Sequence, residues 1–275
     1  MQNKKDLQKY ISEINNTKHY DFSHLCDIMA LLRGENGCAW DREQTHKSIR
    51  KNLIEETYEV IEAIDSDDYK LLREELGDLL LQVVFHSQIA RDGGRFNIGD
   101  VIDELCRKLI IRHPHVFGDI TVTGSDDVLK NWDSIKQRTK NLKSSTDIMS
   151  SVSTALPSLM RATKIGDKGA KAGFDFDDSK DAVIKVKEEI EEVERAITEG
   201  DREHLAEEIG DLLLAVVNVA RLSKIDSEEA LFRANEKFIS RFRVVEENAI
   251  KQGIDLLSAD RDTKESLWQE AKFER

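Results

Sequence analysis

The chain is short of the residues that several common kinds of protein depend on. Three cysteines, Cys26, Cys38 and Cys106, are scattered over 275 residues. Their number and spacing supply neither a disulfide framework nor a zinc ladder, so a reducing, cytoplasmic setting is expected. Two prolines, Pro114 and Pro157, are all the chain contains, and alternating β-branched runs are scarce; both facts favour helices. Lysine and arginine total 41 against 54 aspartates and glutamates, for a net charge of -13. A protein that tracks nucleic-acid phosphates carries a basic face, so the balance argues against that class. It leaves a nucleotide substrate open, because a metal ion can supply the missing positive charge. The longest apolar run, Leu79 to Phe85, is broken by Gln82 and is far too short to span a bilayer. The opening stretch Met1-Gln2-Asn3-Lys4-Lys5-Asp6 lacks the apolar core of a signal peptide. With 39% hydrophobic residues, the chain can nonetheless form real cores, in one large domain or two smaller ones.

What the chain has is patterned acid. Glu188-Glu189-Ile190-Glu191-Glu192 is followed by Glu207-Glu208-Ile209-Gly210-Asp211 and an apolar run, Leu212-Leu213-Leu214. At about 100° per residue, Glu188, Glu189 and Glu192 share one helix face, and Glu208 and Asp211 share another. Thr198-Glu199-Gly200-Asp201 between them reads as a turn, with Gly200 suited to the left-handed position after a helix. The spacing predicts an antiparallel helix hairpin whose acidic faces look at each other, and carboxylates gathered there repel unless cations lie between them.

The same pattern occurs earlier. Glu55, Glu56, Glu59, Glu75 and Asp78 precede Glu188, Glu189, Glu192, Glu208 and Asp211, pair by pair, at one constant interval, and Gly77 precedes Gly210 at the same interval. A repeat this long signals duplicated domains and not a short-period solenoid. Downstream, Lys108-Leu109-Ile110-Ile111-Arg112 resembles Lys237-Phe238-Ile239-Ser240-Arg241, and Trp132-Asp133-Ser134-Ile135-Lys136 resembles Trp268-Gln269-Glu270-Ala271-Lys272. The Ser-, Thr- and Lys-rich stretch from Thr139 to Ser153 reads as a linker. The expected organisation is a polar lead-in at 1–20, a domain at 21–138, a linker at 139–155 and a second domain at 156–275: an all-α chain of two tandem four-helix-type domains.

Facing carboxylates suit a hard divalent ion, which prefers oxygen ligands and binds substrate phosphates as well. No Glu-x-x-His pattern accompanies them, which argues against a di-iron centre. A single acidic stripe on a helix is usually a solvated face. Here the apolar neighbours, Val183, Val186, Ile190, Val193 and Ile197 on one helix and Leu205, Ile209, Leu212, Leu213, Val216 and Val217 on the other, leave the acids little solvent to face. That, and the duplication, favours a functional reading. Lys237 and Arg241, four apart, would then clamp phosphate oxygens; as isolated surface residues they would carry no meaning. Trp268 and Trp132 are read equally as core anchors or as lids over a base.

With Gly37-Cys38-Ala39-Trp40-Asp41, Arg112-His113-Pro114-His115-Val116-Phe117, Gly173-Phe174-Asp175 and Ala234-Asn235-Glu236-Lys237-Phe238, the two acidic clusters resemble the MazG family of nucleoside triphosphate pyrophosphohydrolases over residues 22–275. The resemblance implies tandem all-α MazG domains assembled as a homodimer. It implies hydrolysis of nucleoside triphosphates, ribo- or deoxyribo-, to monophosphate and pyrophosphate with broad base tolerance, using Mg²⁺ or, in its place, Mn²⁺. Glu188, Glu189, Glu192, Glu208 and Asp211 would form the catalytic set. Glu189, Glu192, Glu208 and Asp211 would ligate metal, as would Glu56, Glu59, Glu75 and Asp78 in the first copy. Lys185, Asn235, Lys237, Arg241 and Trp268 would contact the nucleotide. Asn52 stands where the second copy has Lys185 and Cys106 where it has Asn235, so the second copy is expected to carry most of the activity. The alternative is a non-catalytic helical dimer that retains the bundle for binding or regulation.

Overall fold

A computed structural model describes residues 4–122, 124, 127–128, 131–132, 135, 142 and 144–273, and every regular element among them is a helix. The chain forms two compact units, Met1–Ile135 and Lys136–Arg275. The expected domain edge at 138–139 and most of the first copy's closing Trp-x-x-x-Lys segment lie outside the described residues. None of the described helices is long and apolar enough to cross a membrane.

The first unit holds α1 (Lys4–Asn15), α2 (Phe22–Arg33), α3 (Ala39–Glu43), α4 (Arg50–Asp65), α5 (Tyr69–Asp92), α6 (Ile98–Arg112) and α7 (Pro114–Phe117). Within the polar lead-in, the stretch Lys4–Asn15 is helical; it has no proline or glycine to interrupt it. The centre of the unit is the α4–α5 hairpin, with α2 laid against α5. Met29, Ile49, Val84 and Phe85 form its core, and Trp40 of α3 meets Phe85 edge-on at 6.5 Å.

The second unit holds α8 (Ser145–Ser150), α9 (Ser158–Lys171), α10 (Ser179–Glu199), α11 (Arg202–Leu222), α12 (Ser227–Gln252) and α13 (Arg261–Phe273). Helix α8 lies inside the stretch read as a linker. Ser144 and Asp147 close a reciprocal capping box at its start, which gives this Ser-rich segment a reason to be helical. The α10–α11 hairpin is again the centre, α9 packs on α11, and α12 packs principally on α13.

The interval that separates the two sets of acids governs this packing as well. Ala63 and Ala196 are both wholly buried, and Val84 and Val217 are both 2% exposed. Small residues at the first pair let the helices of each hairpin approach closely beside the turn. Asp68 and Asp201 cap the second helix of each hairpin, their carboxylates accepting backbone N–H groups of the first turn. The residue before each cap is left-handed: Gly200 at φ 73° and Asp67 at φ 53°. That conformation costs an L-residue energy that glycine escapes. Asp67→Gly is therefore expected to stabilise the first hairpin by on the order of 0.5 kcal/mol, after the extra freedom of glycine in the unfolded chain is discounted. A higher urea midpoint for the full chain checks this, and an unchanged or lower one refutes it.

One expectation needs correction. Within each unit the apolar residues do not enclose the acids: Ile190, Ile197, Ile209, Leu213 and Val216 are all exposed, and so are Leu76, Leu80 and Val83 of the first hairpin. A two-helix hairpin buries one stripe of each helix, and helices as apolar as these carry a second stripe that their own unit leaves open.

Candidate active site

In the second unit Asp178 accepts the backbone N–H groups of Lys180 at 2.7 Å and Asp181 at 2.9 Å, starting α10. Asp201 does the same for α11 through Glu203 and His204. The helices run antiparallel and bring one carboxylate oxygen each from Glu189, Glu208 and Asp211 to within 4.8 Å of one another. Glu189 is 5% exposed, Glu208 is half-buried and Asp211 is open to solvent.

Two cations already offset this charge. Lys185 Nζ lies 2.8 Å from Glu189, 3.3 Å from Glu188 and 4.0 Å from Glu192. Its pKa is pushed upward, first by the hydrogen bond to Glu189 and then by that to Glu188. His204 Nε2 is 2.9 Å from Glu208 and its Nδ1 is 3.1 Å from Glu199. The hydrogen bond to Glu199, with the charge of Glu208 beside it, raises the imidazole pKa and favours its charged form.

The first unit repeats the geometry without the cations. Glu56, Glu75 and Asp78 gather within the same 4.8 Å, but Asn52 occupies the position of Lys185. Burial, followed by the charges of Asp78 and Glu59, pushes the Glu56 carboxyl up; burial, followed by Glu59 and Asp78, does so for Glu75. Gln82 Nε2 reaches Glu56 at 3.5 Å.

Both clusters fit a hard divalent ion. Their donors are all oxygen, and opposite oxygens around Mg²⁺ lie about 4.2 Å apart, so three carboxylates reach one ion with little adjustment. The placement of Lys185 and the raised carboxyls agree on one point: each cluster is short of positive charge.

The other expected residues are placed differently. Glu192 stands outside the group of three, 3.2 Å from Arg195. Asn235 and Lys237 are exposed on α12 and Arg241 is half-buried there; among the described residues no hydrogen bond or ion pair joins them to the carboxylates. Trp268 rests 5.2 Å from Phe238 and packs on the Val245–Leu267 cluster, so it anchors α13 to α12. His204 and Gln82, on the other hand, escaped the sequence reading. The signal was there, since each stands four residues, one helical turn, from a clustered acid: His204 from Glu208 and Gln82 from Asp78.

A cavity of about 300 Å³ opens in the same unit between α9, α11 and the loop before α10. Ile165, Gly166 and Gly169, then Phe174, Leu214 and Asn218 line it, and Arg221 and Asp175 close one side. Arg221 is only 9% exposed and holds Asp175 through both guanidinium nitrogens. Its Nε also donates to Asn218 Oδ1 at 3.2 Å. Arg221 keeps the Asp175 carboxyl below the usual carboxylate range. A Cβ on Gly166 would sit 2.8 Å from Arg221 Nε, so this approach requires glycine. In the first unit the position of Asn218 belongs to Phe85, which is buried in the core.

A duplicated helical hairpin that gathers carboxylates at its centre defines an all-α protein built to hold hard cations between helices. The family model described as the MazG nucleotide pyrophosphohydrolase domain matches twice, over residues 44–117 and 174–245. The chain is 43% identical over 251 residues to the nucleoside triphosphate pyrophosphohydrolase/pyrophosphatase MazG of Thermotoga maritima, covering 91% of this chain and 95% of that protein. It is 44% identical to the nucleoside triphosphate pyrophosphohydrolase of Escherichia coli K12, covering 90% and 95%. It is 46% identical over 266 residues to YabN of Bacillus subtilis, of which it spans 54%. The chain belongs to the MazG family, and the two matched segments are its two hairpins with their flanking helices.

Proposed function

We propose that this protein hydrolyses nucleoside triphosphates and deoxynucleoside triphosphates to the monophosphate and pyrophosphate, with Mg²⁺ or Mn²⁺, chiefly at the cluster of the second unit. The observation that carries the reading is the convergence of Glu189, Glu208 and Asp211 beside Lys185. The printed names of the relatives from Thermotoga maritima and Escherichia coli support it.

In this reading Glu189, Glu208 and Asp211, with Glu192 at the edge, are the metal ligands. When bound, the ion supplies positive charge to the phosphate oxygens and lowers the pKa of a bound water. Glu188 orients the attacking water at the α–β phosphoanhydride. Lys185, released from Glu189, turns its ammonium to a phosphate oxygen, and Lys237 and Arg241 balance the departing pyrophosphate. Asn235 and Trp268 contact the nucleotide from α12 and α13.

The cavity supports broad base tolerance. Leu214 and Asn218 follow Asp211 on α11 by about 5 and 10 Å along the axis, which places the cavity within a nucleotide's length of the carboxylates. Its polar groups are already committed to one another: the Asn218 amide donates to Leu214 O and accepts from Arg221. A base entering there meets apolar contacts and no unpaired group that would select its edge. The repeated open stripe of Leu76, Leu80 and Val83, and of Ile209, Leu213 and Val216, supports a homodimer in which a second copy covers it.

Pyrophosphate release from the common ribo- and deoxyribonucleotides tests the proposal. Release from most of them is expected with Mg²⁺, falling to background with excess chelator. Failure of folded wild-type protein to release pyrophosphate with either metal would return the reading to a non-catalytic helical dimer.

A further inference from the structure

The first unit carries a polar annex behind its carboxylates that the second unit lacks. On α5, Gln82 follows Asp78 by one turn and His86 follows Gln82 by another. Gln82 is 6% exposed. Its Nε2 faces Glu56 at 3.5 Å, while its Oε1 is buried without a partner, as is Nε2 of His86. On its other side His86 Nδ1 lies 2.8 Å from Nδ1 of His46, and the two rings stack nearly parallel. The matched positions in the second unit are Ala215, Val219 and Ser179, with nothing to build such an annex.

The donors and acceptors can be ordered from one end. Glu56, ionised as a metal ligand must be, only accepts, so the amide must present Nε2 to it and leave Oε1 in need of a donor. Four residues along the same helix face is the other orphan, His86 Nε2. If that nitrogen carries the proton, His86 Nδ1 is a bare acceptor, and His46 Nδ1 must be protonated to approach it so closely. Burial, and then the neighbouring His46, lower the pKa of His86 and keep its ring neutral, as this order requires.

We propose that His46, His86 and Gln82 form a directed hydrogen-bond chain, His46 Nδ1–H to His86 Nδ1, His86 Nε2–H to Gln82 Oε1, and Gln82 Nε2–H to Glu56, that positions Glu56 as a metal ligand of the N-terminal cluster. The inference rests on the reading of that cluster as a cation site and adds what orients it. Gln82 and the two histidines are positioning residues. The chain occupies one oxygen of Glu56 and leaves the other for the ion, as partners behind a metal ligand commonly do. The two clusters thereby reach the same geometry by different means: the second through an ammonium that has to be displaced, the first through a neutral chain that stays in place.

Two measurements on the full-length protein test this. Long-range proton–nitrogen NMR of metal-free protein should find the Nε2–H tautomer at His86 and the Nδ1–H tautomer at His46. Mn²⁺ titration, followed by electron paramagnetic resonance in an Asp211→Asn background that silences the second cluster, reads the first cluster alone. Gln82→Leu should weaken Mn²⁺ there about 10–100-fold. His86→Leu, which keeps the amide but removes its donor, should act in the same direction by less. In an Asp78→Asn background neither change should alter the remaining, second-unit affinity. An Nδ1–H tautomer at His86, or a first-cluster affinity unchanged in both variants, overturns the proposal. Absence of Mn²⁺ binding in wild-type protein would instead remove the cation reading and the positioning role with it, whatever the tautomers.

Discussion

Asp211→Asn is expected to lower kcat for pyrophosphate release by at least about 10²-fold, the scale seen when one group is removed from a preorganised charged site, without unfolding the protein. Asp211 is exposed, and its carboxylate crowds Glu189 and Glu208 within 4.8 Å. Replacing it by a neutral isostere removes repulsion, so the melting temperature should hold or rise while activity falls. That opposite movement separates a functional carboxylate from a structural one, whose loss lowers both. The matched change Asp78→Asn should leave most of the turnover, because the first cluster has Asn52 where the second has Lys185. Steady-state kinetics and thermal unfolding of the two variants decide the matter. Large loss in Asp78→Asn with little in Asp211→Asn would move the working site to the first unit.

Asp175→Ala should cost about 3 kcal/mol of stability, because it leaves the guanidinium of Arg221 buried without its counter-charge. Arg221 is 9% exposed and Asp175 25%, so solvent repays only part of the loss. The same pair predicts a pH dependence. Arg221 depresses the folded pKa of Asp175, so the pair's contribution is present above the ordinary carboxylate pKa and is lost as pH falls through the depressed value. In urea titrations of the full chain, the difference between wild type and Asp175→Ala should therefore shrink on acidification. A difference that persists at low pH would mean that the cost comes from the emptied space and not from the ion pair.

The chain's order along one dimension was enough to reveal much of this. Acids and glycines recurring at one fixed interval identify two hairpins, because a helix of fixed pitch turns spacing into a face. Asp68 and Asp201, in front of the second helix of each hairpin, cap it through bonds made within a few residues of chain. Ala63 with Ala196, and Val84 with Val217, repeat the core at the same interval. Spacing does not say how far apart two faces stand. It grouped Glu192 with the ligands, whereas the hairpin crossing brings Glu189, Glu208 and Asp211 together and leaves Glu192 at the edge beside Arg195.

The sequence by itself determined the helices, the duplication and the chemical kind of the site, since those follow from local periodicity and residue type. Only the tertiary structure decided how each cluster's charge is met. Lys185 and His204 do so in the second unit, and an uncharged Gln82 backed by two histidines lies behind the first. It also decided that Asn218 borders a cavity where Phe85 fills the core, and that one apolar stripe of each hairpin stays open. These depend on which groups distant segments bring within about 3 Å, a distance at which hydrogen bonds and ion pairs form and about which sequence separation says nothing.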